Sequence, residues 1–166
     1  PRLWKAHHGR VWWVEFSPDN QQLATSGGDG TIRISPISTE RPFDTGNRHM
    51  FAGNAVDFAM LTSRKLAVTD SDSVAIWDLN DASPEKVILD QSRGWRRVAV
   101  TSSYGPGNQT VIAGNDVGIL RSWNAQTQEI TAEWRDVAGR DISWLGVHAD
   151  GSQLFAILDG NLLTFR

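Results

Sequence analysis

Cysteine is absent from the 166 residues, which removes disulfide staples, thiolate metal sites and cysteine nucleophiles together. Basic residues are in no excess. Sixteen Lys and Arg stand against nineteen Asp and Glu, for a net charge of −3 and a pI near 5.8. Coating a nucleic-acid backbone is disfavoured at that balance. No apolar run approaches the ~18 residues of a membrane helix, and no leader pattern opens the chain. No membrane partner is expected, and the cytoplasm is the expected compartment. No segment keeps a helical apolar period of useful length, so helices are expected to be absent or single turns. The first residue is Pro1 rather than Met, which suits a processed product or an excised fragment.

What is present points to strands. Apolar residues make up 40% and charged residues 21%, enough to build a core and too apolar for disorder. Eight tryptophans and fifteen glycines against one tyrosine suit short strands joined by tight turns. The chain also repeats itself. The apolar pair Val14/Phe16 recurs as Val56/Phe58, Val98/Val100 and Leu145/Val147. A second marker, out of phase with the first, recurs as Ser35, Trp77, Trp123 and Phe165. Both keep a period of about forty residues, the signature of a repeat architecture. Each unit reads as three short strands and a weaker fourth. In the first, Val11–Ser17 alternates and ends in the turn Ser17-Pro18-Asp19-Asn20. Gln22–Ser26 then runs to Gly27-Gly28-Asp29-Gly30, and Thr31–Ser35 follows.

On these residues the sequence resembles the WD-repeat family. His7, Val11, Val14, Phe16-Ser17-Pro18-Asp19, Leu23-Ala24 and Asp29-Gly30-Thr31-Ile32-Arg33-Ile34 follow its pattern, with Ala6 where the family has glycine. Its Trp-Asp pair is Trp77-Asp78 in the second unit. Elsewhere the pair decays to Trp123-Asn124, Ser35-Pro36 and Phe165-Arg166. The resemblance implies an all-β fold: a β-propeller of four-stranded antiparallel blades around a central channel. It also implies a hydrogen-bonded set of His7, Thr25 and Asp29 within the first blade, with Ser35 in the tryptophan position.

The units divide the chain as one propeller segment, 1–166. Blade one is expected at about 7–52, blade two at 53–91, blade three at 94–136 and blade four at 140–166. Fourth, outer strands are expected at about Glu85–Asp90 and Thr131–Asp136. The same offset makes Pro1–Ala6 an outer strand that closes blade four beside Leu162–Arg166, hiding two edges at once. Four blades are few for a family whose rings usually have seven or eight. The segment is therefore expected to be part or half of a larger ring. It would be completed by pairing with missing blades or by self-association into an eight-bladed ring; a compact four-bladed monomer is the third possibility.

Candidate chemistry is sparse. His7-His8 has no third ligand at useful spacing, and His49 and His148 fall in other units. Asp70-Ser71-Asp72-Ser73 resembles the start of a calcium loop but lacks its spaced acid and glycine, and it falls where a turn is needed. Gly105-Pro106-Gly107-Asn108 lacks the Lys-Ser/Thr ending of a phosphate loop. Asp136, Asp141, Asp150 and Asp159 read as solvated turn or strand-end residues rather than an acid/base pair. No Gly-x-Ser-x-Gly elbow occurs. Residues Trp123 to Trp134 resemble the tryptophan-docking repeat of quinoprotein propellers, which should recur in most blades; here it occurs once, with Gln128 in place of glycine. No catalytic residue, metal or cofactor is assigned.

The informative feature is the start of the first strand in each unit. Trp12-Trp13, Asn54-Ala55, Arg96-Arg97 and Ser143-Trp144 precede the apolar pairs, and Trp95 adds an aromatic. The resemblance implies that this end opens on the narrow face, the family's usual docking surface. Indole and guanidinium groups are enriched at binding hot spots. Trp12, Trp13, Trp95, Arg96, Arg97 and Trp144 are the expected partner-binding residues, with Trp13, Arg97 and Trp144 in one repeat column around the channel mouth. The reading is a non-enzymatic interaction scaffold that binds a protein partner through this face. The alternatives are a sensor propeller of a multidomain bacterial signalling or defence protein, and a quinoprotein-like enzyme.

Overall fold

The computed structural model of the chain describes residues 5–37, 47–50, 55–79, 85–102, 109–136, 138–148 and 151–165. They form fifteen strands and no helix among the described residues. The first sheet holds β1 (Val11–Phe16), β2 (Gln22–Gly27), β3 (Thr31–Pro36) and β4 (Asn47–Met50). The second holds β5 (Ala55–Met60), β6 (Lys65–Asp70), β7 (Ser73–Asp78) and β8 (Glu85–Asp90). The third holds β9 (Trp95–Ser102), β10 (Gln109–Asn115), β11 (Ile119–Asn124) and β12 (Ile130–Arg135). The fourth has three strands, β13 (Ile142–Val147), β14 (Leu154–Leu158) and β15 (Asn161–Phe165). Within every sheet, strands pair antiparallel in chain order. These are the blades of a propeller, each with its first strand innermost.

Short side chains close the hairpins. At the β6–β7 turn, Asp70 accepts the backbone N–H of Asp72 through Oδ1 and the hydroxyl of Ser73 through Oδ2. The acidic run there is turn chemistry. The outer strand β8 occupies the span expected from Trp77, and β12 starts one residue before its expected position. The expected closing strand falls largely outside the described residues; Lys5 and Ala6 lie in no strand. The loop Gly105–Asn108 is also outside them.

Packing runs from blade to blade. Ala24, Ile32 and Ile34 of the first sheet meet Phe58, Met60, Leu66 and Val68 of the second. Ala59, Val74 and Ile76 of the second meet Val98, Val111 and Trp123 of the third. Ala99, Ile112 and Leu120 of the third meet Leu145, Ala156 and Leu158 of the fourth. Each buried Val, Leu, Ile, Met or Phe among them contributes about 1.5–3 kcal/mol by leaving water. The inter-blade layers, not any one sheet, hold the arc together.

The register corrects one repeat marker. Leu23, Leu66, Val111 and Leu154 each face the second marker of their unit across the ladder: Ser35, Trp77, Trp123 and Phe165. Their partners on the innermost strands are Phe16, Met60, Val100 and Val147. The pair equivalent to Val14/Phe16 in the second blade is therefore Phe58/Met60, two residues beyond the expected Val56/Phe58. A shift of two leaves every side chain on its own face, so alternation alone could not detect it.

Two further features of the innermost strands position the site. Each carries a bulge near its start. The ladder skips one residue between Val11 and Trp13, between Ala55 and Asp57, between Trp95 and Arg97, and between Ile142 and Trp144. A bulge breaks strict alternation and re-aims the side chains around it. Second, the Val14/Phe16 column packs on the preceding blade where there is one: Phe58, Met60, Val98 and Leu145 are buried. On β1, Val14 is 54% and Phe16 58% exposed.

Candidate functional site

With the register corrected, the residues just before the apolar column are Trp13, Asp57, Arg97 and Trp144. They ring the axis, one from each innermost strand. They line a recess of about 370 Å³ together with Trp12, Val98, Ser143 and Leu145. The bulges matter here: Trp12 and Ser143 are the skipped residues of their strands, and both border the recess. Trp12, Trp13 and Trp144 keep 56, 43 and 39% of their surface exposed. A single exposed indole needs no explanation, but three gathered on one recess form a patch.

The indoles are held in place. Trp13 hydrogen-bonds the carboxylate of Glu15. Trp144 lies across Gly146, where a Cβ would come within 2.1 Å of the ring; only glycine admits that rotamer. Trp12 lies beside Gly28.

Polar groups on the innermost strands reach from one blade to the next. Met60 donates its backbone N–H to Glu15 Oε1 at 3.2 Å, and Val98 donates to Asp57 Oδ2 at 3.1 Å. Arg97 Nε donates to the carbonyl of Ser143 at 2.5 Å and Nη1 to that of Arg96 at 3.0 Å. These bonds satisfy backbone groups on an edge that has no further strand. They leave two carboxylates poorly solvated. Burial pushes Glu15 up to about 7 against the Met60 hydrogen bond, and the nearby Asp57 charge adds to the rise. Burial likewise pushes Asp57 up to about 6, opposed by the N–H of Val98 and the charge of Arg97.

Arg96, outside the recess lining, is half-exposed, with Nη2 at 3.2 Å from Asp116 and Nε at 3.9 Å from Asp141. Trp95 is a correction. It is 1% exposed, stacked edge-on against Trp123 at 5.7 Å, with the Arg121 guanidinium over its ring. Its indole N–H donates to Asp90 and Ser92. Trp95 precedes the bulge of β9 and so turns into the layer between blades two and three, away from the recess. Sequence reasoning missed Asp57 and Glu15. Aligning the units on Leu23 and Leu66 would still have put Val56 opposite Trp13, because Phe16 and Leu23 lie seven residues apart and Met60 and Leu66 six; the ladder register is what places Asp57 in the column.

Away from the recess, His7 is buried. Its Nε2 lies 2.8 Å from the Thr25 hydroxyl, and its Nδ1 lies 2.9 Å from Asp29 and 3.1 Å from Thr31. Burial works to raise the Asp29 carboxyl, but hydrogen bonds from Thr31, from the N–H of His8 and from His7 hold it well below the usual range. The set ties the chain before β1 to the β2–β3 turn. Ser35, in the tryptophan position, keeps a buried hydroxyl without a partner among the described residues, as does the indole N–H of Trp123. Among the described residues no cluster of His, Asp and Glu could hold a metal ion, and no helix is long and apolar enough to cross a membrane.

Four antiparallel sheets radiating from a shared axis define a β-propeller. The family model "WD domain, G-beta repeat" matches residues 2–34. The chain is similar to eukaryotic translation initiation factor 3 subunit I of Phaeosphaeria nodorum, 23% identical over 149 residues, 82% of this chain and 43% of that protein. The same subunit of Culex quinquefasciatus is 26% identical over 91% of this chain and 49% of its own length. The chain thus spans less than half the length of these curated relatives. Among solved structures, the β-propeller domain of Cps50 (Swd1) from Myceliophteria thermophila superposes with a TM-score of 0.75 at 13% identity, over 93% of this chain and 53% of that one. Residues 2–34 thus match a WD repeat, and the fold of the described residues is that of a β-propeller.

Proposed function

We propose that this propeller is an interaction scaffold that binds a protein partner over the axial recess on its narrow face. The observation that carries the reading is the convergence of three exposed, pre-positioned indoles from two blades on one recess that all four innermost strands line. Arg97 lines the same recess, and Arg96 precedes it on β9. Clustered tryptophan and arginine give large contact area with directed donors. The relatives are by name subunits of a larger factor, which agrees with a role inside an assembly and without chemistry of its own. The test is capture from an extract with a photo-crosslinker at position 12, compared with one at Ile130 on an outer strand. Partners crosslinked from position 12 should disappear with Trp144→Ala and Arg96→Ala, while melting temperatures stay close to the parent's. Equal recovery from both crosslinker positions would refute the reading.

The exposed Val14 and Phe16 support a second reading. Here further blades cover the open face of β1, supplied by a second copy of the chain in an eight-bladed ring or by the remainder of a longer ring. For the two-copy ring, sedimentation equilibrium should give a mass of two chains. A stable single chain with a sharp melt would exclude the two-copy ring.

A further inference from the structure

The docking reading leaves the occupant of the recess open, and the hydrogen-bonding groups that line it narrow the choice. Charge selects nothing, since the lining carries one carboxylate, Asp57, and one guanidinium, Arg97. The polar side chains that can accept are already engaged. Asp57 takes the backbone N–H of Phe58 on Oδ1 and that of Val98 on Oδ2. The Ser143 hydroxyl is tied to the Ile157 carbonyl. Donors are what is left over. The Trp13 N–H goes to Glu15, and Arg97 places Nε on the Ser143 carbonyl and Nη1 on the Arg96 carbonyl. The indole N–H groups of Trp12 and Trp144 and the Nη2 of Arg97 have no hydrogen-bond partner among the described residues. While the face is open, water serves them. A partner that covers them must bring acceptors, because a donor buried without one loses its hydration uncompensated.

We propose that the recess takes a proline-rich, extended segment of the partner protein, its prolyl rings lying on the faces of Trp12 and Trp144 and its backbone carbonyls accepting from their N–H groups and from Arg97. This rests on the docking reading above. The body of a helix presents no such carbonyls, because its own N–H groups hold them. One helical turn, about 10 Å across and 5.4 Å high, also occupies roughly 400 Å³, more than the recess of about 370 Å³ holds. A strand brings an N–H with every carbonyl and adds donors to a surface already rich in them. Proline has a carbonyl and no N–H. It holds the residue before it extended, and the polyproline conformation makes no internal hydrogen bonds, so its carbonyls face outward unpaired. Segments ordered in advance in this way dock on aromatic-lined grooves at a low entropic cost. The indoles here are positioned in advance too, Trp144 across Gly146 and Trp12 beside Gly28. A leucine side chain would fill the recess and leave the three donors dry. A carboxylate would meet Asp57 as well as Arg97.

The probes are blocked hexapeptides with glycine at each end, titrated against the full chain labelled with ¹⁵N. One has four central prolines and one has four alanines. Two more carry a single leucine or a single glutamate among three alanines. Indole N–H signals are assigned with single Trp→Phe variants. The proline peptide should shift the Trp12 and Trp144 indole signals saturably and to lower field, as new acceptors require. The Trp13 signal, already bonded to Glu15, should move less. The other three peptides should bind at least tenfold more weakly. Trp144→Leu removes both face and donor and should weaken the proline peptide at least tenfold. Trp144→Phe keeps the face and loses the donor, and should fall between Trp144→Leu and the parent. If Trp144→Leu fails to fold, Trp12→Leu makes the same comparison at a more exposed position. Equal or tighter binding of the leucine peptide would mean a plain apolar pocket, of the glutamate peptide an anion site, and of the alanine peptide a surface indifferent to proline. Each would overturn the proposal, as would silence from the proline peptide or a Trp144→Phe variant that binds it like the parent. Failure of the proline peptide while position-12 crosslinking still depends on Trp144 would sink the proline occupant and leave the docking face standing; loss of that dependence as well would sink both.

Discussion

Replacing Glu15 with glutamine should change how stability depends on pH, with a sign opposite to ordinary acid denaturation. Burial raises the Glu15 carboxyl from 4.5 to about 7. The folded chain therefore holds a proton that the unfolded chain has released, and stability is lost as pH rises. The contribution is fully present below the unfolded value of 4.5 and disappears as pH passes about 7. Linkage gives a loss of about 2 kcal/mol between about pH 5.5 and pH 8 from this one group. Asp57, raised from 3.8 to about 6, adds about 1 kcal/mol over the same interval. Asp29, held low, acts only at more acid pH: its stabilisation is present above its unfolded value and is lost as pH falls. In Glu15→Gln the amide oxygen can still accept the N–H of Met60, but its NH₂ cannot accept the Trp13 indole, so one hydrogen bond is given up. The variant should match or exceed the parent by about 1 kcal/mol near pH 8. It should fall behind near pH 5.5. The assay is urea unfolding of both proteins at a series of pH values, read as midpoint and slope; the difference between the two curves cancels the titrating groups that do not interact with Glu15 and leaves Glu15 with its coupling to Asp57. Parallel curves would refute the account of Glu15 as a desolvated inter-blade acceptor.

Trp95→Ala should cost about 3–5 kcal/mol, since it empties the layer between blades two and three, whereas Trp144→Ala should stay within about 1 kcal/mol of the parent; chemical denaturation of both separates core from surface. Gly27→Ala would put a Cβ 2.4 Å from the imidazole of His7 and should destabilise by about 2 kcal/mol or more. That penalty should largely vanish in a His7→Ala background, a double-mutant cycle that a purely local backbone effect would not satisfy. Ser35→Ala removes a buried hydroxyl with no partner among the described residues and should be neutral or stabilising by up to about 1 kcal/mol, as read by differential scanning calorimetry. A clear loss would mean that the hydroxyl is bonded.

Much of the architecture was legible because strands of this fold are short, alternate over most of their length and end in turns with their own chemistry. Glu85–Asp90 was placed by counting from Trp77 alone. The second unit's marker slipped by two because Val56, Phe58 and Met60 alternate equally well, and a period-two pattern has no absolute origin. Only the cross-strand anchors Leu66 and Trp77 supply one. Beside Arg96 and Arg97 the sequence makes Trp95 a partner-binding candidate, yet Trp95 precedes the bulge and packs inward between blades two and three. Bulges depend on the partner strand and leave no residue signature in Trp12, Arg96 or Ser143. The carboxylates were missed for a related reason. Asp57 and Glu15 look like ordinary strand-edge acids until inter-blade geometry puts the N–H groups of Val98 and Met60 in front of them.

The inter-blade bonds also give the arc a direction. Glu15 reaches forward to the second blade, Asp57 to the third and Arg97 to the fourth. The apolar column, by contrast, always looks backward. One flank of the arc therefore presents Val14 and Phe16, and the other presents Trp144 and Leu162. The two flanks are unlike, as the ends of an actin-type polymer are unlike. Face-to-face pairing through one flank would set two apolar columns together and leave the forward-reaching groups idle. A neighbour that used both the apolar column and the forward-reaching groups would join head to tail, and such joining has two outcomes: a rotation that closes into a ring, or one that does not and runs on as a fibre. In such an assembly the curvature that each blade adds would decide between a finite particle and an open polymer.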